Sequence, residues 1–276
     1  MPCLYLPYQQ GSSKLLIVFH GNAEDLGISY EMMDHLKHQL HINVLAMEYP
    51  GYGIYTENVL GHSVPEPNER KIFEDVTSVM HFIVDQNPGM KMSDIIVLGR
   101  SLGSGAACYA ASSFKVGGLI LMSPFTSIRN VAWGKVGIFS YVMSDQFNNL
   151  SRIGKVACPT FILHGQKDTL IPIEHARTLE RACGGPTSMI APPDMTHNDF
   201  DFQNDLIRPL LKFFIQFQVL ERGLTPPTEK NLEPPRNSAS NQIRFKEDYF
   251  IPPKLKEFQL MQQRKSFQSS IQRQRD

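Results

Sequence analysis

The chain is poor in cysteine, has no long apolar run and carries no net charge, and each absence excludes something. Its four cysteines, Cys3, Cys108, Cys158 and Cys183, show no paired metal-ligand spacing. Cys108 and Cys158 stand in apolar stretches, as inert core thiols of a reducing compartment do. The one early apolar run, Leu15-Leu16-Ile17-Val18-Phe19, stops at His20-Gly21. It is far too short for a secretory leader or a membrane span, so the body is expected to be cytosolic or peripheral to a membrane. Lysine plus arginine equals aspartate plus glutamate, 27 against 27, so no global field recruits nucleic acid or anionic lipid. No metal-ligand cluster and no phosphate-cradling loop stands out, and no cofactor is expected.

What the chain does have is a regular alternation of apolar runs and amphipathic stretches. With 276 residues and 42% apolar content it is long enough for a substantial core. Strands are predicted at 15–19, 43–47, 95–98, 119–122, 160–163 and, more weakly marked, 187–190. Helical spacing occupies 24–40, 68–85, 102–112, 173–183 and 206–220. Such alternation implies an α/β fold with a mostly parallel sheet covered on both faces, and functional loops at the carboxyl ends of the strands. Residues 3–8 suit one further strand. Little precedes it, so either the antiparallel edge is trimmed or the reading frame lacks its true beginning.

Three short strings sit at those strand ends. Gly99-Arg100-Ser101-Leu102-Gly103 follows the run Asp94-Ile95-Ile96-Val97-Leu98 and precedes small residues. By itself Gly-x-Ser-x-Gly arises by chance roughly 0.1 times in a chain of this length, so its setting carries the weight. A strand turning sharply into a helix at Ser101 needs Gly99 and Gly103 to avoid collision and holds the hydroxyl near a helix start. His197 lies after the last strand candidate and before the final helix, where a general base for that hydroxyl belongs. Asp168 follows the run at 160–163 by a short loop and is expected to orient the imidazole. Asp194 and Asp199 flank His197 too closely to point at it without a sharp fold-back. The order Ser101, Asp168, His197 is that of a serine hydrolase with the α/β-hydrolase fold.

The tetrahedral intermediate of acyl transfer needs hydrogen-bond donors. The backbone N–H of Leu102 is one candidate, and that of Asn22, in His20-Gly21-Asn22-Ala23, is the second. The Asn22 side chain also suits an N-cap for the helix starting near Glu24. His20 and His164 end strands but precede glycines, reading as structural positions beneath the site. Tyr49-Pro50-Gly51-Tyr52-Gly53 reads as a loop shaping its edge.

The expected organisation is a hydrolase domain over 1–220, with a small lid at 123–158, and a tail over 221–276. The lid holds Phe125, Trp133, Phe139, Tyr141 and Met143, which either line an acyl groove, with Phe125, Trp133 and Phe139 binding substrate, or simply cover the sheet edge. No propeller or large cap is read that would restrict peptide entry, which argues against a peptidase. The tail is rich in Pro, Gln, Ser and basic residues and reads as extended or disordered. The alternative to a solvated tail is a basic helix with Leu255, Phe258, Met261 and Phe267 along one side, suited to a partner or a membrane surface, with nothing to name the partner.

The segments His20-Gly21-Asn22-Ala23-Glu24-Asp25-Leu26-Gly27, Tyr49-Pro50-Gly51-Tyr52-Gly53, Gly99-Arg100-Ser101-Leu102-Gly103-Ser104-Gly105, Ser123-Pro124-Phe125 and His197-Asn198-Asp199 resemble the α/β-hydrolase domain-containing protein 17 group. The resemblance spans roughly residues 14–220. It implies the α/β-hydrolase fold, a triad of Ser101, Asp168 and His197, and acyl-protein thioesterase activity on palmitoylated cysteines of membrane-attached proteins. The substrate is then an acylated protein, with a lipid ester as the alternative acted on by a carboxylesterase or lysophospholipase. An interaction protein that merely keeps the fold is the non-enzymatic alternative. Where the group often has Gln before the nucleophile, this chain has Arg100. Where the group has a lipidated cysteine-rich segment, this chain has only Cys3.

Overall fold

The runs that read as strands assemble into one seven-stranded sheet. The structure, a computed structural model, describes residues 1–56, 67–136 and 145–220. The strands are β1 Cys3–Leu6, β2 Leu15–Phe19, β3 Asn43–Met47, β4 Ile95–Arg100, β5 Gly118–Met122, β6 Thr160–Leu163 and β7 Thr187–Ile190. Their order across the sheet is β1-β3-β2-β4-β5-β6-β7, all parallel except β1, which runs antiparallel to β3. Among the described residues the antiparallel edge consists of the single strand β1.

Every residue of β2, β3 and β5 is buried, because side chains of alternating parity meet different helices. Leu15, Ile17 and Phe19 face a core layer shared with α2 Glu69–Gln86, α3 Gly103–Ser113 and α6 Glu174–Ala182. Leu16 and Val18 face the opposite layer, filled from α1 Leu26–Leu40 and α7 Arg208–Phe217. Phe161 of β6, fully buried, meets Phe213 of α7 with ring centroids 5.5 Å apart. Two helices that lack a strong apolar stripe went unforeseen: α4 Ile128–Val136 and α5 Asn149–Ile153 both fall in the stretch expected to form a lid.

Helix ends differ from expectation at two places. The α1 cap is Asp25, whose Oδ1 accepts from the Ile28 N–H at 2.8 Å, so Asn22 does not cap this helix. The last helix begins at Arg208 after a π turn over Phe202–Ile207, which Asp201 caps by accepting from the Gln203 and Asn204 N–H groups. Cys3 packs against the core from β1, and burial pushes its thiol up to about 12. Cys108 is fully buried, and burial likewise raises the Cys158 thiol to about 12, as inert thiols require. Among the described residues no helix is long and apolar enough to cross a membrane.

Candidate active site

The carboxyl ends of β4, β6 and β7 carry the loops that bring Ser101, Asp168 and His197 together, and β2 leads into the turn that holds Asn22. β4 ends at Arg100, and Ser101 then adopts φ +50°, a left-handed conformation that a serine holds only under constraint from its surroundings. The constraint is visible on both sides. The Ser101 N–H donates to the Met122 carbonyl at 2.9 Å, and the Ser101 carbonyl accepts from the Ser104 N–H at 2.9 Å as α3 begins. A Cβ on Gly99 would stand 2.7 Å from that of Ala107, and one on Gly103 would lie 2.7 Å from the His20 carbonyl oxygen. The elbow closes because both positions lack a side chain.

His197 follows β7 in a turn whose shape comes from its neighbours. Thr196 N–H donates to the Asp199 carbonyl at 3.0 Å, and Thr196 Oγ1 donates to Asp199 Oδ2 at 3.0 Å. Asp199 is thereby committed to the turn, and Asp194 is committed to Lys167 at 2.6 Å. Neither rival carboxylate faces the imidazole; Asp168 does. Its Oδ2 stands 2.7 Å from His197 Nδ1, and His197 Nε2 stands 3.1 Å from Ser101 Oγ. A carboxylate only accepts, so the network assigns the proton to Nδ1 and leaves the Nε2 lone pair for the hydroxyl.

The Asp168 side chain is fully shielded from solvent. Its second oxygen, Oδ1, accepts from the Leu170 and Ile171 N–H groups at 2.9 and 2.8 Å. His164, fully buried, places Nε2 2.8 Å from the Ile171 carbonyl and 3.4 Å from Asp168 Oδ2. Burial pushes the carboxyl upward, but hydrogen bonds from His164, His197 and the Ile171 N–H outweigh it. Asp168 is held well below the ordinary carboxylate range. Its charge is therefore permanent near neutrality, and an imidazolium forming at His197 has a fixed counterion.

The loop after β2 is built on buried polar contacts. His20 Nε2 meets Glu48 Oε1 at 2.9 Å, and Glu48 Oε2 accepts from the Leu26 N–H at 3.2 Å where α1 starts. Tyr49 O–H donates to the His20 carbonyl at 2.9 Å, and Tyr52 O–H donates to Asn22 Oδ1 at 2.7 Å. The tyrosine loop thus holds the turn that presents Asn22. Among the hydrogen bonds of the described residues, none uses the Asn22 or the Leu102 N–H. Within the described residues both N–H groups are therefore left without a hydrogen-bond acceptor. Sequence reasoning missed Glu48, because nothing local marks a carboxylate as the partner of a histidine 28 residues away.

The aromatic residues expected to bind substrate fare differently. Phe125 is only 2% exposed and packs into the core, which leaves it little surface to offer a ligand. Trp133 lies on α4 with its side chain outside the described residues, and Phe139, Tyr141 and Met143 lie outside them altogether. An open groove of about 580 Å³ runs elsewhere, beside Arg100 and Glu24, with Ile28, Met32, Phe200 and Phe202 as its apolar lining. Among the described residues no group of three or more metal-ligating side chains occurs.

Known proteins resemble this chain over most of its length. The chain is 27% identical over 212 residues to the alpha/beta hydrolase domain-containing protein aho-3 of Caenorhabditis elegans, a match covering 77% of this chain and 60% of that protein's length. It is 25% identical to the human alpha/beta hydrolase domain-containing protein 17B, over 78% of this chain and 70% of the relative. The resemblance read from the motifs is thereby borne out. The solved structure of Est1E from Butyrivibrio proteoclasticus, with ferulic acid bound, superposes with a TM-score of 0.61 over 79% of this chain and 95% of that one. At 16% identity this likeness bears on the fold alone. Residues 10–152, just over half of the chain, match the Hydrolase_4 family, described as serine aminopeptidase, S33, and the chain belongs to that family of α/β-hydrolases.

Proposed function

We propose that this protein is a serine hydrolase that cleaves acyl thioesters or esters, in the manner of a palmitoyl-protein thioesterase. The observation that carries the reading is the continuous path from Ser101 Oγ through His197 to Asp168, 3.1 and 2.7 Å long in its two steps. Ser101 Oγ attacks the acyl carbon while His197 Nε2 takes its proton, and Asp168 stabilises the imidazolium. The Leu102 and Asn22 N–H groups receive the oxyanion. Collapse of the tetrahedral intermediate expels the thiol or alcohol, which takes the proton from His197. Water, deprotonated by the same imidazole, then releases the acid and restores Ser101.

The preference for a protein thioester rests on the resemblance to the protein 17 group. It is tested by offering the purified chain a palmitoyl-cysteine peptide and a lysophospholipid in competition, with an aminoacyl amide as a third arm. Faster turnover of the peptide thioester is expected. Preferential release of fatty acid from the lysophospholipid would replace the reading with that of a lipid esterase, and cleavage of the amide would replace it with a peptidase. No turnover of any of the three would favour an interaction protein that keeps the fold.

A further inference from the structure

The residue before the nucleophile is committed to contacts that the hydrolytic steps leave unexplained. Arg100 is the last residue of β4, yet its side chain is only 13% exposed. One end of its guanidinium, Nη1, forms an ion pair with Glu24 Oε1. The other, Nη2, donates to Asn198 Oδ1 at 2.9 Å and to the His197 carbonyl at 3.3 Å. Glu24 in turn uses Oε2 to accept from the Gly21 N–H at 2.8 Å. A single planar cation therefore joins the turn that presents Asn22 to the turn that presents His197. Desolvating two ions offsets much of their attraction, so net stability is a poor reason to keep such a pair here. Geometry is the better one, because the guanidinium fork fixes several acceptors at once.

We propose that Arg100 and Glu24 form a positioning clamp, holding the oxyanion-donor turn and the histidine turn at a fixed separation across Ser101. The proposal rests on the hydrolase reading of the site. Arg100 touches no reacting atom in this scheme and acts through His197 and the Gly21–Asn22 backbone. Losing it has two consequences of the same sign. The two turns lose their common anchor, and the Glu24 carboxylate is left unpaired beside the place where the intermediate gathers negative charge. Both raise the barrier to reaction, and neither weakens ground-state binding.

The test compares Arg100→Gln, Arg100→Lys, Glu24→Gln and the Glu24→Gln/Arg100→Gln double variant on p-nitrophenyl butyrate. Arg100→Gln is expected to lower kcat roughly 10- to 100-fold, the scale of a misplaced catalytic group, with KM little changed. Arg100→Lys keeps the charge but cannot reach both turns, and should fall between wild type and Arg100→Gln. The double variant should recover part of the Arg100→Gln loss, because the unpaired carboxylate is gone. A raised KM at unchanged kcat would mean that Arg100 meets substrate from the groove it lines, and would overturn the clamp. Losses that simply multiply in the double variant would overturn it too. Glu24→Gln preserves shape and guards against a variant that fails to fold.

Failure of the hydrolase reading is recognised separately, by absence of turnover in the wild-type chain. In that case amide hydrogen exchange still decides the clamp. Arg100→Gln should speed exchange in peptides covering 20–24 and 196–199 and leave α2 unchanged, whereas unchanged exchange in those two peptides would refute it.

Discussion

Asp168→Asn is expected to lower kcat for a short-chain ester about 10⁴-fold while KM stays close to that of the wild type. The size follows from tautomer control. The introduced amide keeps the volume of the aspartate and an oxygen for the Leu170 and Ile171 N–H groups, which now bond to Asp168 Oδ1. The amide nitrogen then faces His197 Nδ1 in place of Oδ2 and donates to it. The imidazole must carry its proton on Nε2, and the Ser101 hydroxyl loses its acceptor. The fold survives because the replacement is isosteric, so the loss appears in kcat. A fall of less than tenfold would show that Asp168 does not govern the histidine.

The same variant changes the acid limb of stability, with a definite sign. An unfolded aspartate takes up a proton near about pH 3.9, whereas native Asp168 resists protonation until well below that. Its contribution is therefore fully present above about pH 4 and is lost as pH falls, because the unfolded chain binds the proton first. Urea unfolding of Asp168→Asn should accordingly lose stability less steeply than the wild type below about pH 4.

Gly103→Ala is expected to destabilise the protein by roughly 3 kcal/mol, at the upper end of the usual cost of overpacking. The methyl group would run into the main-chain carbonyls of Phe19 and His20 at the end of β2. Neither can step aside as a flexible side chain would. Phe19 lies in the central pairing of β2 with β4, and the His20 carbonyl is already held by Tyr49. Any accommodation moves the turn that carries Asn22, so hydrolysis should fall along with stability. Gly154→Ala is the control: its added Cβ would meet only the Ala182 carbonyl at 3.5 Å, and Gly154 has right-handed helical backbone. That variant should be neutral or slightly stabilising in urea unfolding. Equal effects of the two substitutions would contradict the close-approach explanation of the elbow.

Much of this architecture was legible in the sequence, for identifiable reasons. β2 is a continuous apolar run, β3 and β6 are apolar after Asn43 and Thr160, a polar residue follows each, and their ends coincide with the predicted ones. Ser101, Asp168 and His197 were legible because each ends or follows such a run, so the sheet itself brings them to one edge. The Asn22 cap was misread because Asn22 and Asp25 both suit helix starts, and only the Tyr52 contact decides between them. α4 and α5 escaped notice because short helices without a marked apolar stripe leave little periodic trace. Glu48 and Glu24 were missed for a different reason. Each works through a partner distant in sequence, His20 or Arg100, and no local spacing records such a pairing. The approach of His164 to Asp168 emerges only when the loop after β6 closes back through Ile171, which no local spacing in the sequence records.

The nucleophile itself is reached most directly with a fluorophosphonate, which phosphonylates only a serine whose hydroxyl has been activated. The expected result is one adduct on the wild-type chain, mapped by peptide mass to Ser101, and none on Ser101→Ala. Equal labelling of the two proteins, or an adduct mapped to another serine, would contradict the assignment of Ser101, His197 and Asp168 as one catalytic unit.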